Sequence, residues 1–275
     1  MKVKRMINPI FVDENVGALA YQHLRPNELL VTKIFPTIQG EGPFAGERAI
    51  FLRLAGCNYG GKGVNGVGCD FCDTNFKFSD GKALTFNEIK DELDYHWDSF
   101  ETKREGSRLV VITGGEPMLQ NNLIKFVDYV KGDYFFQIET NGTRYLRLNS
   151  VRVTVVVSPK IPVGGNHPFG RMSYPPLKEI IMQEAFCLKL IVNADKNDPY
   201  HQIPDYVDNF MRRDKTVYVS PMTIYKKPPE VIGSIWDEDV IDIAATARNH
   251  CYAARLAMKY GFKVSLQTHL YLGVQ

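Results

Sequence analysis

The chain has 275 residues, 44% hydrophobic and 23% charged, enough apolar content for one large α/β domain or two smaller ones. Its 33 basic residues against 31 acidic ones leave a net charge of +2, and the scattered lysines and arginines offer no footprint for nucleic acid. No apolar run approaches the ~20 residues of a membrane span, and the opening MKVKRMINPIFVDENVG has too short an apolar core for a secretory signal, so the cytoplasm is expected.

Residues 1–28 mix polar and apolar side chains without a clear period. They read as an N-terminal arm of unassigned role, with a short helix over 16–23. Residues 29–275 read as one domain, without internal repeat, low-complexity tract or linker. Leu29–Phe35 is apolar and β-branched, Ala49–Leu54 is a second apolar run, and PTIQGEGPFAGER between them is dense in turn residues. Gln39 and Glu41 flank Gly40, so both side chains leave one side of an extended segment. Read alone, that loop is more simply a solvated turn.

The stretch CNYGGKGVNGVGCDFCDT, from Cys57 to Thr74, holds three of the five cysteines: Cys57, Cys69 and Cys72. Eleven residues, five of them glycine, separate the first cysteine from a Cys-x-x-Cys pair, a loop able to bend around a metal centre. Three thiolates are one short of a structural zinc site. A disulfide leaves one thiol over. An iron–sulfur cluster held by three thiolates leaves one iron open to another ligand. Spacing alone keeps all of these open, along with thiols that bind no metal. Cys187 in an apolar strand and Cys251 in an alanine-rich helix read as buried, inert thiols. His23, His96, His167, His201 and His250 have no partner at ligand spacing and receive no role.

Thr85–Trp97 reads as a helix, with Thr85 as N-cap and Glu88 as its capping-box partner. Arg108–Thr113 is an apolar strand that breaks at Gly114-Gly115-Glu116-Pro117, ahead of helical spacing over Met118–Val130. A strand broken by glycines before a helix exposes backbone N–H groups to a polar ligand. Tyr134–Glu139 ends in Glu139-Thr140-Asn141-Gly142-Thr143, and Val151–Val157 ends in Ser158-Pro159-Lys160. Phe186–Val192 follows, Val217–Ser220 ends in Pro221-Met222, and a helix over about 238–260 precedes a last strand, Phe262–Gln267. Such alternation implies a parallel sheet covered on both faces. The polar punctuation falls at strand C-terminal ends, where barrels and open sheets place their sites. Six or seven strands fall short of a closed eight-fold barrel. The expected fold is α/β, a partial, open β/α barrel of about six parallel strands with covering helices.

Three cysteines ending in Cys-x-x-Cys, followed by Gly-Gly-Glu-Pro, Glu-Thr-Asn-Gly and Ser-Pro-Lys at successive strand ends, resemble the radical S-adenosylmethionine (SAM) enzymes. More narrowly, FPTIQGEGPFAG, FLRLAGC, CDFCDT and the terminal QTHL resemble the 7-carboxy-7-deazaguanine synthases, from about residue 29 to the end. One departure is the eleven-residue spacing of the first two cysteines, where most radical SAM enzymes have three. Enlarged loops do occur in this family.

The resemblance implies that Cys57, Cys69 and Cys72 bind three irons of a [4Fe–4S] cluster whose fourth iron takes SAM. Reductive cleavage of SAM would then give a 5′-deoxyadenosyl radical, with the chain orienting and shielding it and no further catalytic side chain. Gly115 and Glu116 would meet the SAM amino group, Asn141, Ser158 and Lys160 its ribose and carboxylate, and Pro221 and Met222 its adenine. The implied substrate is 6-carboxy-5,6,7,8-tetrahydropterin, converted to 7-carboxy-7-deazaguanine with loss of ammonia, in queuosine-type biosynthesis. Gln39, Gly40, Glu41, Arg53 and His269 would surround it, the terminal carboxylate of Gln275 would fold over it, and Thr74 would hold a bridging Mg²⁺ beside Asp73. A flavodoxin or ferredoxin as electron donor and a homodimer are implied as well. Two rivals stand beside this reading: another radical SAM activity, such as a glycyl-radical activating enzyme, and a non-enzymatic zinc or electron-carrying module.

Overall fold

The computed structural model describes residues 21, 23–59, 69, 71–72, 78–100, 108–148, 150–161, 174–226 and 234–274. Their strands are β1 (Glu28–Ile38), β2 (Arg48–Leu54), β3 (Lys82–Thr85), β4 (Leu109–Gly114), β5 (Phe135–Thr140), β6 (Val153–Val157), β7 (Cys187–Val192), β8 (Thr216–Pro221) and β9 (Lys263–Val264). They form one sheet in the order β3-β1-β2-β4-β5-β6-β7-β8-β9. Every pairing from β2 to β9 is parallel, whereas β1 runs antiparallel to both β2 and β3. The expected parallel strands are therefore β2 and β4 to β8, each of five to seven residues, with the two-residue β9 at one edge. At the other edge the strand expected over Leu29–Phe35 is present as β1 but runs antiparallel, because a hairpin joins it to β2, and it pairs with β3, a strand outside that expectation.

The helices are α1 (Phe86–Asp98), α2 (Asn122–Val130), α3 (Glu179–Glu184), α4 (Tyr206–Met211), α5 (Ile243–Tyr260) and α6 (Thr268–Leu272). Strand alternation divides the side chains cleanly. Ile50, Leu52, Val110, Ile112, Phe136 and Ile138 join Ile89 and Leu93 of α1 and Phe126 of α2 in the main core. On the other face Ala49, Leu109 and Val111, then Val156, Cys187 and Tyr218, form two small apolar clusters. Further along, that face turns polar through Thr113, Glu139, Lys189 and Ser220, which line a cavity.

Local expectations hold where a local signal decides. Both halves of the capping box form on α1: Glu88 N donates to Thr85 Oγ1 at 3.2 Å and Thr85 N to Glu88 Oε2 at 2.7 Å. They fail where a distant contact decides. The helix expected from Met118 is only a short 3₁₀ turn, Pro117–Leu119, before Gln120 extends and α2 begins at Asn122. Gln120 is buried and pairs with both backbone groups of Leu30, accepting at 2.8 Å and donating at 2.9 Å. That pair holds the chain out of the helix. Likewise α5 starts at Ile243, where Asp242 accepts from Ala245 N, so 238–242 lie before the helix. The last strand shrinks to Lys263–Val264 because Ser265 turns into the interior, its carbonyl lying 2.8 Å from Ser220 Oγ and its hydroxyl accepting from Gly42 N. Cys187 is buried as expected, but Cys251 is exposed on the outer side of α5. The helix expected over 16–23 falls largely outside the described residues.

Candidate active site

The cavity measures about 260 Å³ and is walled by the β1–β2 hairpin, the C-terminal ends of the parallel strands and the start of α6. Cys57, Cys69 and Cys72 line it, as do Gly115, Asn141, Ser158 and Lys160 from the ends of β4, β5 and β6. Pro221 and Met222 reach it from β8, and Gln39, Glu41, Arg53 and His269 from the hairpin, β2 and α6. Gly40 and Glu116 do not line it. Thr74 and Gln275 lie outside the described residues.

Gly40 works behind the wall. Its carbonyl accepts from Thr268 N at 3.2 Å and Oγ1 at 3.1 Å, and a Cβ on it would fall 2.1 Å from His269 Nδ1. A glycine is what lets α6 bring His269 to the hairpin. Glu116 is a strut. Its buried carboxylate accepts from Asn141 N at 2.6 Å, Thr140 Oγ1 at 2.7 Å and Met118 N at 3.0 Å, joining the ends of β4 and β5. Burial outweighs those bonds and pushes its pKa up to about 7.

Around the cysteines the backbone packs tightly. A Cβ on Gly115 would lie 2.0 Å from Gly56 O and 2.8 Å from Cys57 Cβ, so the end of β4 rests directly on the first cysteine's segment. Asn141 Nδ2 donates to Asn58 Oδ1 at 2.9 Å and Asn58 Nδ2 to Thr143 Oγ1 at 2.8 Å, tying the residue after Cys57 to the loop after β5. Cys72 N donates to Cys69 O at 3.0 Å, a turn that brings both thiols to the cavity. Burial pushes the Cys57 thiol well above its ordinary range, and a bound positive centre would favour its thiolate. Among the described residues no three His, Cys, Asp or Glu side chains converge on one metal ion. Cysteines that each take a different iron of a cluster need not converge on one ion, and three thiols lining one cavity are a donor set that suits a cluster.

A second polar group crosses the same cavity. Lys189 Nζ donates at 2.8 Å to both Glu41 Oε2 and Glu139 Oε2, and its side chain is 5% exposed. Ser220 Oγ donates to Glu41 Oε1 at 2.8 Å, while Gln137 and Gln39 donate to Glu139 Oε1 at 2.8 and 3.1 Å. Burial acts to raise the Glu41 carboxyl, but Lys189 outweighs it and holds the group below its usual range. The same carboxylates hold the Lys189 ammonium well above its usual range. Sequence reasoning assigned no role to Lys189, Glu139 or Gln137. The signal was there: Gln137 and Glu139 share one face of FFQIET, and Lys189 interrupts the apolar run CLKLIV. A charge inside a strand covered on both faces must be paired.

A parallel sheet with three cysteines facing a ligand-sized cavity is the arrangement of a radical SAM protein, and the radical SAM superfamily profile matches residues 54–157. The 7-carboxy-7-deazaguanine synthase of Rickettsia prowazekii is 33% identical over 249 residues, covering 90% of this chain and 89% of that one. That of Hyperthermus butylicus is 30% identical over 256 residues, covering 88% and 92%. The chain belongs to the 7-carboxy-7-deazaguanine synthase family, radical SAM lyases of 7-deazapurine biosynthesis whose class carries a [4Fe–4S] cluster and SAM. The crystal structure of QueE from Escherichia coli shares the fold, with a TM-score of 0.57 at 20% identity over 91% of this chain and 97% of that one. Among the described residues no helix is long and apolar enough to cross a membrane.

Proposed function

We propose that the chain converts 6-carboxy-5,6,7,8-tetrahydropterin to 7-carboxy-7-deazaguanine with loss of ammonia. The observation that carries the substrate is the row Glu41–Lys189–Glu139. An ammonium has three N–H donors; two are spent on the carboxylates, and the third is available to an acceptor in the cavity. Each carboxylate keeps lone pairs beyond the donors it already meets. The row thus offers acceptor, donor, acceptor. A tetrahydropterin presents the complement along N3–H, the C4 carbonyl and N5–H. An oxidised pterin has a bare lone pair at N5, which a carboxylate repels, so the row selects the reduced ring. Arg53 and His269 line the same cavity and suit the substrate carboxylate.

When bound, the cluster and SAM supply the 5′-deoxyadenosyl radical that takes hydrogen from C6 of the pterin. Cys57, Cys69 and Cys72 would hold three irons; Gly115, Asn141, Ser158 and Lys160 would orient SAM, with Pro221 and Met222 against its adenine. Glu116 acts behind them by fixing Asn141. Thr74 as a Mg²⁺ ligand, the Gln275 carboxylate over the substrate, a flavodoxin or ferredoxin donor, a homodimer, and an arm over 1–28 ahead of the catalytic domain complete the proposal.

The test is anaerobic reconstitution with iron and sulfide, then reaction with SAM, dithionite, Mg²⁺ and 6-carboxytetrahydropterin, with products identified by mass spectrometry. The expected products are 7-carboxy-7-deazaguanine and ammonia; 5′-deoxyadenosine alone would discard the substrate. Lys189→Met is expected to raise KM for the pterin by roughly tenfold or more, the worth of a hydrogen bond to a charged group. An unchanged KM would remove Lys189 from recognition.

A further inference from the structure

The stretch ahead of β1 holds none of the residues assigned to the proposed reaction, yet one of its side chains lies against the strap that leads to Cys57. Tyr21 Oη donates to Ala55 O at 2.8 Å, and its ring packs on Phe78 at 5.5 Å between centroids. The strap Ala55-Gly56-Cys57 runs beneath them. Gly56 holds φ at +90°, and a Cβ there would fall 2.3 Å from the Tyr21 hydroxyl oxygen and 2.3 Å from the Phe78 ring. The two rings occupy the space that a side chain would need. On the strap's other side Gly56 O accepts from Glu116 N at 2.8 Å and rests on Gly115. The strap is thus gripped from both sides.

Tyr21 is offered from a fixed base. Leu24 N donates to Tyr21 O at 3.1 Å, and Asn122 Nδ2 donates to Arg25 O at 2.8 Å and Glu28 O at 3.0 Å. Burial holds the Tyr21 hydroxyl far above its ordinary pKa, so it remains a donor throughout the neutral range. Phe78 stands six residues after Cys72 in the chain, so the ring pair joins the stretch ahead of β1 to a residue that follows the cysteine stretch.

We propose that Tyr21 is a positioning residue for the iron–sulfur cluster, clamping the strap that carries Cys57. This rests on Cys57 being a cluster ligand. Loss of iron to a chelator passes through local opening of such a strap. Removing one hydrogen bond raises the opening equilibrium by about fivefold. The experiment follows the bleaching of the reconstituted cluster's visible absorbance by a ferrous-iron chelator under anaerobic conditions. Tyr21→Phe, which keeps the ring, is expected to bleach about fivefold faster than wild type, and Tyr21→Ala faster still. The control is Thr85→Ala, which weakens α1 without touching the strap. Equal rates for wild type and both Tyr21 variants would overturn the proposal, as would equal acceleration by Thr85→Ala, which would mark the effect as global. A wild-type chain that assembles no cluster would instead overturn the ligand assignment beneath it.

Discussion

Glu116 carries an electrostatic cost that depends on pH. Its pKa is raised from 4.5 to about 7 by burial. Below 4.5 the carboxyl is neutral in folded and unfolded chains alike; as pH rises through 7 only the folded chain resists the charge. Its contribution is therefore full below 4.5 and lost as pH rises through about 7, a change of about 3 kcal/mol at most. Glu116→Gln removes the titration and keeps the shape. Denaturant unfolding over a pH series should show the variant gaining on wild type between these limits; parallel stability curves would contradict the assignment. Lys189 poses the opposite problem, since its two carboxylates come from the β1–β2 hairpin and from β5. Its place in an apolar strand was visible as an anomaly in the sequence. Its partners were not, because they lie 148 and 50 residues away. Cys57, Gly115, Asn141 and Lys160 all line the cavity, and their place after strand ends was visible in local composition, whereas the roles proposed for them came from the family resemblance.

Elements divide along the same line. The boundaries of α1 were readable because Thr85 and Glu88 lie three residues apart and satisfy each other. Thr85→Ala is expected to cost about 1 kcal/mol of stability, measured by denaturant unfolding, with the hydroxyl's bond to Glu88 N lost. A loss near zero would mean that packing of Ile89 and Leu93 alone fixes the helix start. The start of α2 was not readable. Helical spacing runs through Met118 and Leu119, but the Gln120 pairing with Leu30 spans 90 residues and overrides it. The strand at Leu29–Phe35 was readable as β1, but its antiparallel partner β3 was not, for a related reason. Its register joins Glu28–Val31 to Lys82–Thr85 across the whole cysteine stretch, and a four-residue strand has too short a period to announce itself.

At the scale of the whole molecule, the five cysteines report on three layers of structure at once. Cys251 is exposed on α5, Cys57, Cys69 and Cys72 line the cavity, and Cys187 is fully buried with its thiol pushed up to about 12. Thiolate availability and access together set the rate of alkylation. In cluster-loaded protein one thiol, Cys251, should react rapidly. Removal of iron should release three more, Cys57, Cys69 and Cys72. The fifth, Cys187, should react only on unfolding. Mass spectrometry of alkylated peptides reads each step. A second rapid thiol in the loaded protein would remove one cysteine from the cluster, since a ligating thiolate is shielded by its iron. No rapid thiol at all would place the α5 surface around Cys251 in contact with another subunit, and would give the proposed homodimer its first located interface.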